Sequence, residues 1–495
     1  MFRISSEWAD RRDRPARDTL TLGATAVSLH VQAKTPLTLR EIVLRTPVPV
    51  SAQRLFDWHM RPGAFERLSP PWGAPVVTSP WSRPVTGQDV EMQVPVLPGV
   101  RIPWTSHIAE VREGEMFRDV QTRGPFASFD HTHRFEAVSD TQSVMEDRIR
   151  YTLPLGPLGD LFGSGHARAT LGALLAYRHR VLARDLQVHA RASRGPLRIL
   201  VTGATGLVGR ALIGFLETGG HEVHRLTRRA AQGPREIEFD PARGAAHPSE
   251  MEGFDAVIHL AGDPIAKGRW TEEKKRLIRD SRVPFTRRLA ETLAALRKPP
   301  SVFISASATG YYGDRGDRIL RESDPPGEGF LPEVCVQWEG ASEPAAHAGI
   351  RVAHIRTGLV LTPAGGALEP LLLPFSLGLG GPVGNGKQWW SFVALDDLLY
   401  LIHHVLMNEK VHGPVNATSP EPVTNADFAK TLGRVLSRPA FIPVPRFALE
   451  LALGGMAGPL LFASTRVNPE KLLDTGFEFA YPSLESALRH ELGRM

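Results

Sequence analysis

Three glycines spaced three residues apart carry the strongest chemical signal in the chain. They are Gly203, Gly206 and Gly209 in the run VTGATGLVG, which lies between a strand-like segment and a helical one. Glycines at such a turn let main-chain N–H groups approach a pyrophosphate at the N-terminus of the helix. The run therefore predicts a dinucleotide-binding site, and a plain glycine-rich turn is the alternative. The other residues of the predicted cradle are Thr205, Leu207 and Val208.

The end of the second strand indicates which dinucleotide is bound. It reads LTRR at 226–229, where an NAD-binding protein usually presents an acidic residue to the ribose 2′-OH. A guanidinium pairs instead with a 2′-phosphate, so Arg228 favours NADP(H), with a solvated basic turn as the alternative. The third strand ends HLAG at 259–262, whose small residues let the backbone lie against the cofactor.

Two further sets of residues allow a chemical and a structural interpretation. His131 and His133 share one face of a predicted strand at a spacing compatible with a metal. No third ligand is evident, so we predict no metal site. Cys335 has no histidine or basic residue beside it, which argues against a nucleophilic thiol.

The remaining candidates are paired neighbours in the last third of the chain. Trp389 and Trp390 either form the floor of a substrate pocket or pack in the core. His403 and His404 are expected in a helix without partners. The acidic pair before that helix is expected to cap it and anchor a loop; its members are Asp396 and Asp397.

The first 190 residues have the pattern of an α+β domain. Residues 1–37 are polar and arginine-rich and are interpreted as a loose tail. From residue 38, six strand-like runs and a short helix beginning near Ser51 precede one long helical pattern from Ala167 to His189. Antiparallel strands followed by a C-terminal helix predict an α+β domain over 38–190, with a linker at 191–197.

From residue 198 the pattern alternates between strand and helix. Continuous apolar runs such as LRILVTG suit buried parallel strands, and helical segments separate them. The alternation predicts a doubly wound parallel sheet, the α/β Rossmann architecture, over 198–440. Residues 441–495 are predicted to form a helical cap.

Composition narrows the class of protein. The 495 residues carry 58 Lys and Arg against 53 Asp and Glu, a net charge of only +5. Because the basic residues are dispersed, no nucleic-acid partner is predicted. The single cysteine excludes an intrachain disulfide, and a reducing cytoplasm is the expected compartment. No apolar run is long enough to predict a membrane span.

The motifs of residues 198–495 resemble an atypical short-chain dehydrogenase/reductase, the epimerase family of the 39U subgroup. They include TGATGLVG, LAGDPI, SASATGYYGD, RTGLVL and WWSFVALDDL, and the tail RVNPEKLLDTGFEFAYPSLESAL is similar to that family's C-terminal domain. The resemblance implies NADP(H) binding. The positions it implies near the cofactor, together with Gly262, are Thr227, Arg228, Leu260, Ala261, Arg282 and Val360.

The resemblance is incomplete at the catalytic positions. In extended short-chain dehydrogenases a Ser acts with a Tyr-x-x-x-Lys pair, and Ser307 matches the Ser position. The slots of the pair hold Leu331 and Cys335, which can neither transfer the proton nor hold the ribose as Lys does. Tyr311 or Tyr312 could substitute, or either ring could simply be packed.

Residues 38–190 more loosely resemble a START-like (SRPBCC, cyclase/dehydrase) helix-grip domain, with RPGAFERLSPPW as the most telling run. That resemblance implies an apolar cavity for a hydrophobic ligand. Together, the two resemblances predict an NADP(H)-dependent oxidoreductase or epimerase acting on a small molecule, and the implied apolar cavity favours a hydrophobic one. The alternative is a non-catalytic NADP(H)-binding sensor. The sequence does not indicate the oligomeric state.

Overall fold

The computed structural model describes residues 17–22, 25–34, 39–79, 81, 83–97, 100–192, 194–240, 242, 244–245 and 247–494. The contacts divide the chain into two compact units. The first unit comprises Met1–Met60 and Ala74–Gln187, and the second comprises Arg61–Gly73 and Val188–Met495.

The first unit is built on an antiparallel sheet in which nine strands are described. Their order is β1-β2-β3-β9-β8-β7-β6-β5-β4. The strands are β1 (Arg17–Leu22), β2 (Thr25–Lys34), β3 (Leu39–Val48), β4 (Val76–Val77), β5 (Asp89–Leu97), β6 (Val100–Arg112), β7 (Met116–Arg123), β8 (Ser128–Ser139) and β9 (Gln142–Thr152). The strands predicted from residue 38 onward are confirmed.

Two segments of the predicted tail are strands instead. Residues 17–22 and 25–34 pair with each other, and 28–34 pair with 39–45. The interpretation of 1–37 as a loose tail is therefore wrong for these segments, because the backbone hydrogen bonds of a sheet edge are available to a polar run without an apolar period. The rest of 1–37 lies outside the described residues.

One long helix covers the sheet. After α1 (Ala52–Met60) and α2 (Ala64–Arg67), helix α3 (Gly156–Ala190) buries Leu171 and Leu175 against Ile149 and Tyr151 of β9. The helix begins at Gly156 and not at Ala167 as predicted. Its first turns expose their large apolar side chains, so they lack the apolar period that marks the rest of the helix; these side chains are Leu158, Leu161 and Phe162.

The segment 61–73, predicted inside the N-terminal domain, belongs to the second unit. Arg67 forms a buried ion pair with Asp396, at 2.7 Å. A Cβ on Gly63 would lie 2.6 Å from the Cα of Gly214, so the two backbones touch. Contacts across more than 150 residues decide this boundary, and a local sequence pattern does not contain them.

The second unit contains the predicted doubly wound sheet. Its order is β13-β12-β11-β10-β14-β15-β17-β21, parallel except for the edge strand β13. The strands are β10 (Arg198–Thr202), β11 (Glu222–Thr227), β12 (Glu236–Asp240), β13 (Gly244–Ala245), β14 (Ala256–His259), β15 (Val302–Ala308), β16 (Ile319–Leu320), β17 (Arg351–Thr357), β18 (Leu359–Leu361), β19 (Trp389–Trp390), β20 (Phe392–Ala394), β21 (Gly413–Ala417), β22 (Val423–Thr424) and β23 (Arg466–Val467).

Helices cover both faces of this sheet, and its strands are buried as expected for parallel pairing. They are α4 (Leu207–Thr218), α5 (Glu272–Asp280), α6 (Val283–Ala294), α7 (Phe330–Gly340), α8 (Glu343–His347), α9 (Glu369–Ser376), α10 (Leu395–Met407), α11 (Asn425–Leu436), α12 (Arg446–Leu453), α13 (Glu470–Asp474) and α14 (Leu484–Glu491). Within the described residues, none of the helices has the length and apolarity needed to cross a membrane.

Candidate functional site

The glycine turn joins β10 to α4, and two of its glycines leave no room for a side chain. Gly203 adopts φ +69°, and a Cβ there would lie 2.7 Å from the carbonyl carbon of Leu260. A Cβ on Gly209 would lie 2.2 Å from the oxygen of Gly203. Both distances are too short for a real contact, so the turn requires glycine at these positions.

The N-terminus of α4 is open to an anion. Gly206 is its N-cap, and no side chain accepts a hydrogen bond from the first turn. Unpaired N–H groups at a helix start favour a phosphate, which fits the predicted pyrophosphate. Around them Thr205 is exposed, while Leu207 and Val208 are half-buried.

A buried hydrogen-bond chain supports the loop after β14. Thr202 Oγ1 accepts from the N–H groups of Leu260 and Ala261, at 3.1 and 3.2 Å. The same hydroxyl contacts His259 Nδ1 at 2.7 Å, and His259 Nε2 lies 3.0 Å from Thr286 Oγ1. Burial lowers the pKa of His259 to about 3, so its imidazole is neutral at physiological pH.

The end of β11 presents a free cation. Thr227 accepts the N–H of Arg229 at its hydroxyl, 3.2 Å away. Arg228 is exposed and forms no ion pair or hydrogen bond with any described residue. An unpaired guanidinium beside the turn is the group a 2′-phosphate would require.

A cavity of about 460 Å³ lies in the same unit. Polar groups enter it from Arg282, Ser307 and Ser391, and apolar surface comes from Phe330 and Trp390. Gly262 makes room for Arg282, because a Cβ there would lie 3.0 Å from its Cζ. A half-apolar pocket with a few polar groups is typical of a small-molecule site.

The hydroxyl of Ser307 belongs to a hydrogen-bonded network that contains two charged side chains. Its hydroxyl donates to Glu339 Oε1 at 2.7 Å. Glu339 accepts two hydrogen bonds from Arg356, both at 2.8 Å. The pair is bidentate and almost fully buried, with 3% and 12% of the Arg356 and Glu339 side chains exposed. Glu339 and Arg356 were missed by the sequence analysis, because the network joins strands and a helix that no short motif connects.

The two candidate tyrosines pack around this network and are absent from the cavity lining. Tyr312 is fully buried, donates to Asn416 Oδ1 at 2.7 Å and accepts from Arg356 at 3.0 Å. Burial raises its pKa to about 12, which makes it a poor proton donor near neutral pH. Tyr311 stacks on the Arg356 guanidinium, 3.5 Å from the ring centre. Among the three predicted catalytic residues, all of them described, only Ser307 lines the cavity.

Helix α7 presents Leu331 and Cys335 to the cavity, at the slots where the resemblance placed a Tyr and a Lys. Burial raises the pKa of Cys335 to about 12, and its Sγ lies 3.9 Å from the carbonyl of Ala308. A neutral thiol and an alkyl group supply neither a base nor a cation.

The other sequence candidates take structural positions. Val360 is half-buried in β18 and packs against the core. Trp390 lines the cavity and also packs on Phe428, whereas Trp389 donates to Asp317. Asp397 accepts from the N–H groups of 480 and 481, as predicted for a loop anchor. The predicted capping is wrong, because both aspartates lie inside the first turn of α10, whose N-cap is Ala394 and has no side-chain cap.

Two pairs of histidines have more partners than the sequence suggested. His404 contacts Thr475 Oγ1 at 3.0 Å, so its predicted lack of partners is wrong. His403 packs against His189 and His221.

His131 and His133 lie buried beside two carboxylates, those of Asp119 and Asp147.

Comparison with known proteins identifies the family. Residues 199–417 match the NAD dependent epimerase/dehydratase family, and residues 444–491 match a domain of unknown function, DUF1731. The epimerase family protein Mb2239 of Mycobacterium bovis is 38% identical over 296 residues, which are 60% of this chain and 98% of that protein. This chain belongs to the epimerase family. It is therefore an NAD(P)-binding protein.

Two solved structures extend the comparison. The human epimerase family protein SDR39U1, solved with NADPH, is 33% identical with a TM-score of 0.56, over 60% of this chain and all of that one. A nucleoside-diphosphate sugar epimerase from Corynebacterium glutamicum is 33% identical with a TM-score of 0.74, over 91% of this chain and 90% of that one. The second unit alone cannot supply 91% of the chain, so this match also includes much of the first unit.

Proposed function

We propose that the second unit binds NADP(H) and acts as an oxidoreductase or epimerase-like enzyme on a small molecule held in its cavity. The observation that carries the proposal is Arg228, which pairs with no described residue. It lies at the end of the strand next to the glycine turn, where Gly203 and Gly209 leave no room for a side chain. The human relative solved with NADPH supports the choice of cofactor. A cytoplasmic location remains a prediction.

Different groups of this chain would bind different parts of the cofactor. Main-chain N–H groups at the start of α4 would hold the pyrophosphate, and Arg228 would hold the 2′-phosphate. Arg282, half-buried in the cavity wall, adds a positive charge there. When bound, a nicotinamide cofactor supplies hydride transfer.

Within the cavity, Ser307 is the side chain we assign to the substrate oxygen. Its hydroxyl donates to Glu339, which fixes its orientation and leaves its lone pairs free to accept a hydrogen bond from a substrate hydroxyl. Neither Tyr311 nor Tyr312 lines the cavity, so neither is assigned proton transfer. The apolar part of the lining favours a hydrophobic substrate.

The second candidate function is a non-catalytic NADP(H) sensor. Leu331 and Cys335 favour it, because they occupy the cavity wall where a proton-transfer pair would be needed. Substituting Ser307→Ala separates the two functions. In an enzyme it abolishes oxidation of a substrate alcohol with NADP⁺; a sensor has no turnover to lose, and its NADPH affinity is unchanged.

For the first unit we propose a START-like module that binds an apolar ligand. The long helix α3 packed on a wide antiparallel sheet supports this proposal. Mass spectrometry of the native protein tests it, because a bound lipid or polyketide-like molecule would appear as an added mass. A chain that carries no such ligand after exposure to hydrophobic extracts would contradict it.

Calorimetry with NADPH and NADH tests the cofactor assignment. We expect Arg228→Asp to weaken NADPH binding roughly 10- to 100-fold, since a lost hydrogen bond to a charged group costs about 1.5–3 kcal/mol. NADH binding should change less than twofold. The matched control is Arg297→Ala, an exposed arginine before β15 and hence at the opposite edge of the sheet. Equal affinities for both cofactors, unchanged by Arg228→Asp, would overturn the assignment.

A further inference from the structure

Four ionisable side chains of the first unit converge on one buried face of its sheet. They come from three neighbouring strands: Asp119 from β7, His131 and His133 from β8, and Asp147 from β9. The register places Asp119 opposite His131 and His133 opposite Asp147. Both histidines and Asp147 are at most 6% exposed. Burial of so many polar groups requires that each has a partner.

Each imidazole lies between the two carboxylates. His131 Nε2 is 3.1 Å and His133 Nδ1 is 2.6 Å from Asp147 Oδ1. The opposite ring nitrogens, His131 Nδ1 and His133 Nε2, are 3.8 and 3.5 Å from Asp119 Oδ1. Distances of 3.5 Å and more are long for a hydrogen bond. They suit three ligand atoms around an ion with bonds of roughly 2.0–2.2 Å.

The surroundings orient these ligand atoms. Asp147 Oδ1 is the hydrogen-bond partner of His131 Nε2 and lies 2.6 Å from His133 Nδ1. An ion bound here requires the tautomers that leave His131 Nδ1 and His133 Nε2 as acceptors. The other oxygen of Asp147 contacts His179 Nε2 at 2.9 Å. Asp119 Oδ2 accepts from Ser106 at 2.6 Å, so Oδ1 remains for an ion. A carboxylate behind each ligating histidine is the usual support of a protein metal site.

A second histidine cluster in the other unit lacks this chemistry. The ring nitrogens of His189, His221 and His403 also lie within 4.8 Å of one another. However, His221 Nδ1 accepts the main-chain N–H of Leu197 at 3.1 Å. A neutral imidazole has one lone pair, and this bond uses it, so His221 has none for a metal.

We propose that Asp119, His131 and His133 bind a divalent transition-metal ion of the zinc class, with Asp147 as the positioning carboxylate. Two imidazoles and one carboxylate are a common protein ligand set for zinc and for non-haem iron. The set leaves at least one coordination position for water or a ligand of the first unit. The sequence suggested the two histidines, and the third ligand became visible only when β7 was paired with β8.

The test uses the full chain, freed of metal with a chelator and titrated with Zn²⁺ in a competing indicator. We expect one tightly bound ion per chain. Asp119→Asn and His131→Gln should abolish that binding, and Asp147→Asn should weaken it roughly 10- to 100-fold, the usual effect of losing a supporting carboxylate. His403→Gln, which removes the other cluster, is the matched control and should bind normally.

Cobalt(II) absorption and NADPH binding complete the test. A four-coordinate cobalt spectrum that disappears in His131→Gln would support the ligand set, and unchanged NADPH affinity in each variant shows that the second unit remains folded. Circular dichroism of each variant checks the first unit. The proposal is overturned if the native chain binds no Zn²⁺ tightly, or if His403→Gln loses the ion while folded His131→Gln keeps it.

Discussion

The glycine turn and the Ser307 network lie in the same unit but are built in opposite ways. The turn is made of backbone, and it works because side chains are missing from residues six positions apart. The network is made of long side chains brought together from β15, α7 and β17. The turn carries the predicted glycines. The network instead contains a bidentate ion pair, and its Glu339 lies on the same helix as Leu331 and Cys335.

This difference shows which part of the protein is specialised. A backbone cradle can hold any dinucleotide of the right shape, so its construction changes little with the reaction. Side chains in the cavity determine substrate and chemistry. Here Glu339 and Arg356 pair with each other and are absent from the cavity lining, and Ser307 is the member of the network that reaches the cavity. The resemblance to short-chain dehydrogenases therefore predicts a departure from them at the substrate end of the site.

The largest expected effect is a loss of folding stability when the ion pair of the network is broken. Glu339→Gln removes the charge that Arg356 is paired with and leaves a buried guanidinium, which costs about 3–5 kcal/mol. Urea unfolding of the full chain should show this loss of stability. NADPH affinity should change less than twofold, because among the described residues the network shares no hydrogen bond with the glycine turn.

Glu343→Gln is the matched control for that substitution. Glu343 is 63% exposed on its side chain and lies 3.8 Å from Arg287, a surface pair expected to contribute under about 1 kcal/mol. If Glu339→Gln destabilised the chain no more than Glu343→Gln, the buried pair would not be the support of Ser307. If it also weakened NADPH binding strongly, the two regions would not be independent.

A smaller effect is expected at the turn. Gly209→Ala places a methyl group 2.2 Å from the oxygen of Gly203, and the backbone must shift to accept it. Overpacking of this kind costs about 1–3 kcal/mol of stability. The shifted backbone also misplaces the N–H groups of the first turn, and losing one hydrogen bond to a charged phosphate costs about 1.5–3 kcal/mol, or roughly 10- to 150-fold weaker NADPH binding. Calorimetry measures it. Gly233→Ala, where a Cβ meets nothing within 4 Å, should bind NADPH normally.

An unaltered NADPH affinity in folded Gly209→Ala would contradict the idea that the turn is the cradle. A loss in both variants would instead mean that the substitutions act through stability. The comparison of the two regions becomes sharper if Gly209→Ala weakens NADPH binding and Glu339→Gln lowers stability without changing NADPH affinity.

The two regions also differ in how well they could be predicted from the sequence. The glycines of the turn were predicted by position, and the helical segment expected after them is α4, because glycine spacing, strand and helix are local properties. The Ser307 network was not predicted, since Tyr312 and Asn416 lie 104 positions apart and only the folded sheet brings them together. The third residue of the proposed metal site, Asp119, was missed for the same reason.

The two regions should also respond differently to acid, which gives the smallest effect. The loop beside the turn depends on neutral His259, whose pKa falls from an ordinary 6.5 to about 3 through burial. Between these values the unfolded chain binds a proton that the folded chain does not, so stability decreases as the pH falls from about 6.5 towards 3. One such group contributes up to about 1.4 kcal/mol per pH unit.

His259→Gln removes that contribution, although it also lowers stability at pH 8 by losing the hydrogen bonds to Thr202 and Thr286. Urea unfolding at pH 8, 6 and 5 should therefore give a shallower decline for the variant than for the native chain. Exposed His347 provides the control, because His347→Gln should keep the native slope. Parallel declines for the native chain and His259→Gln would mean that His259 is not held neutral. The difference between a turn supported by a neutral imidazole and a network supported by an ion pair would then disappear.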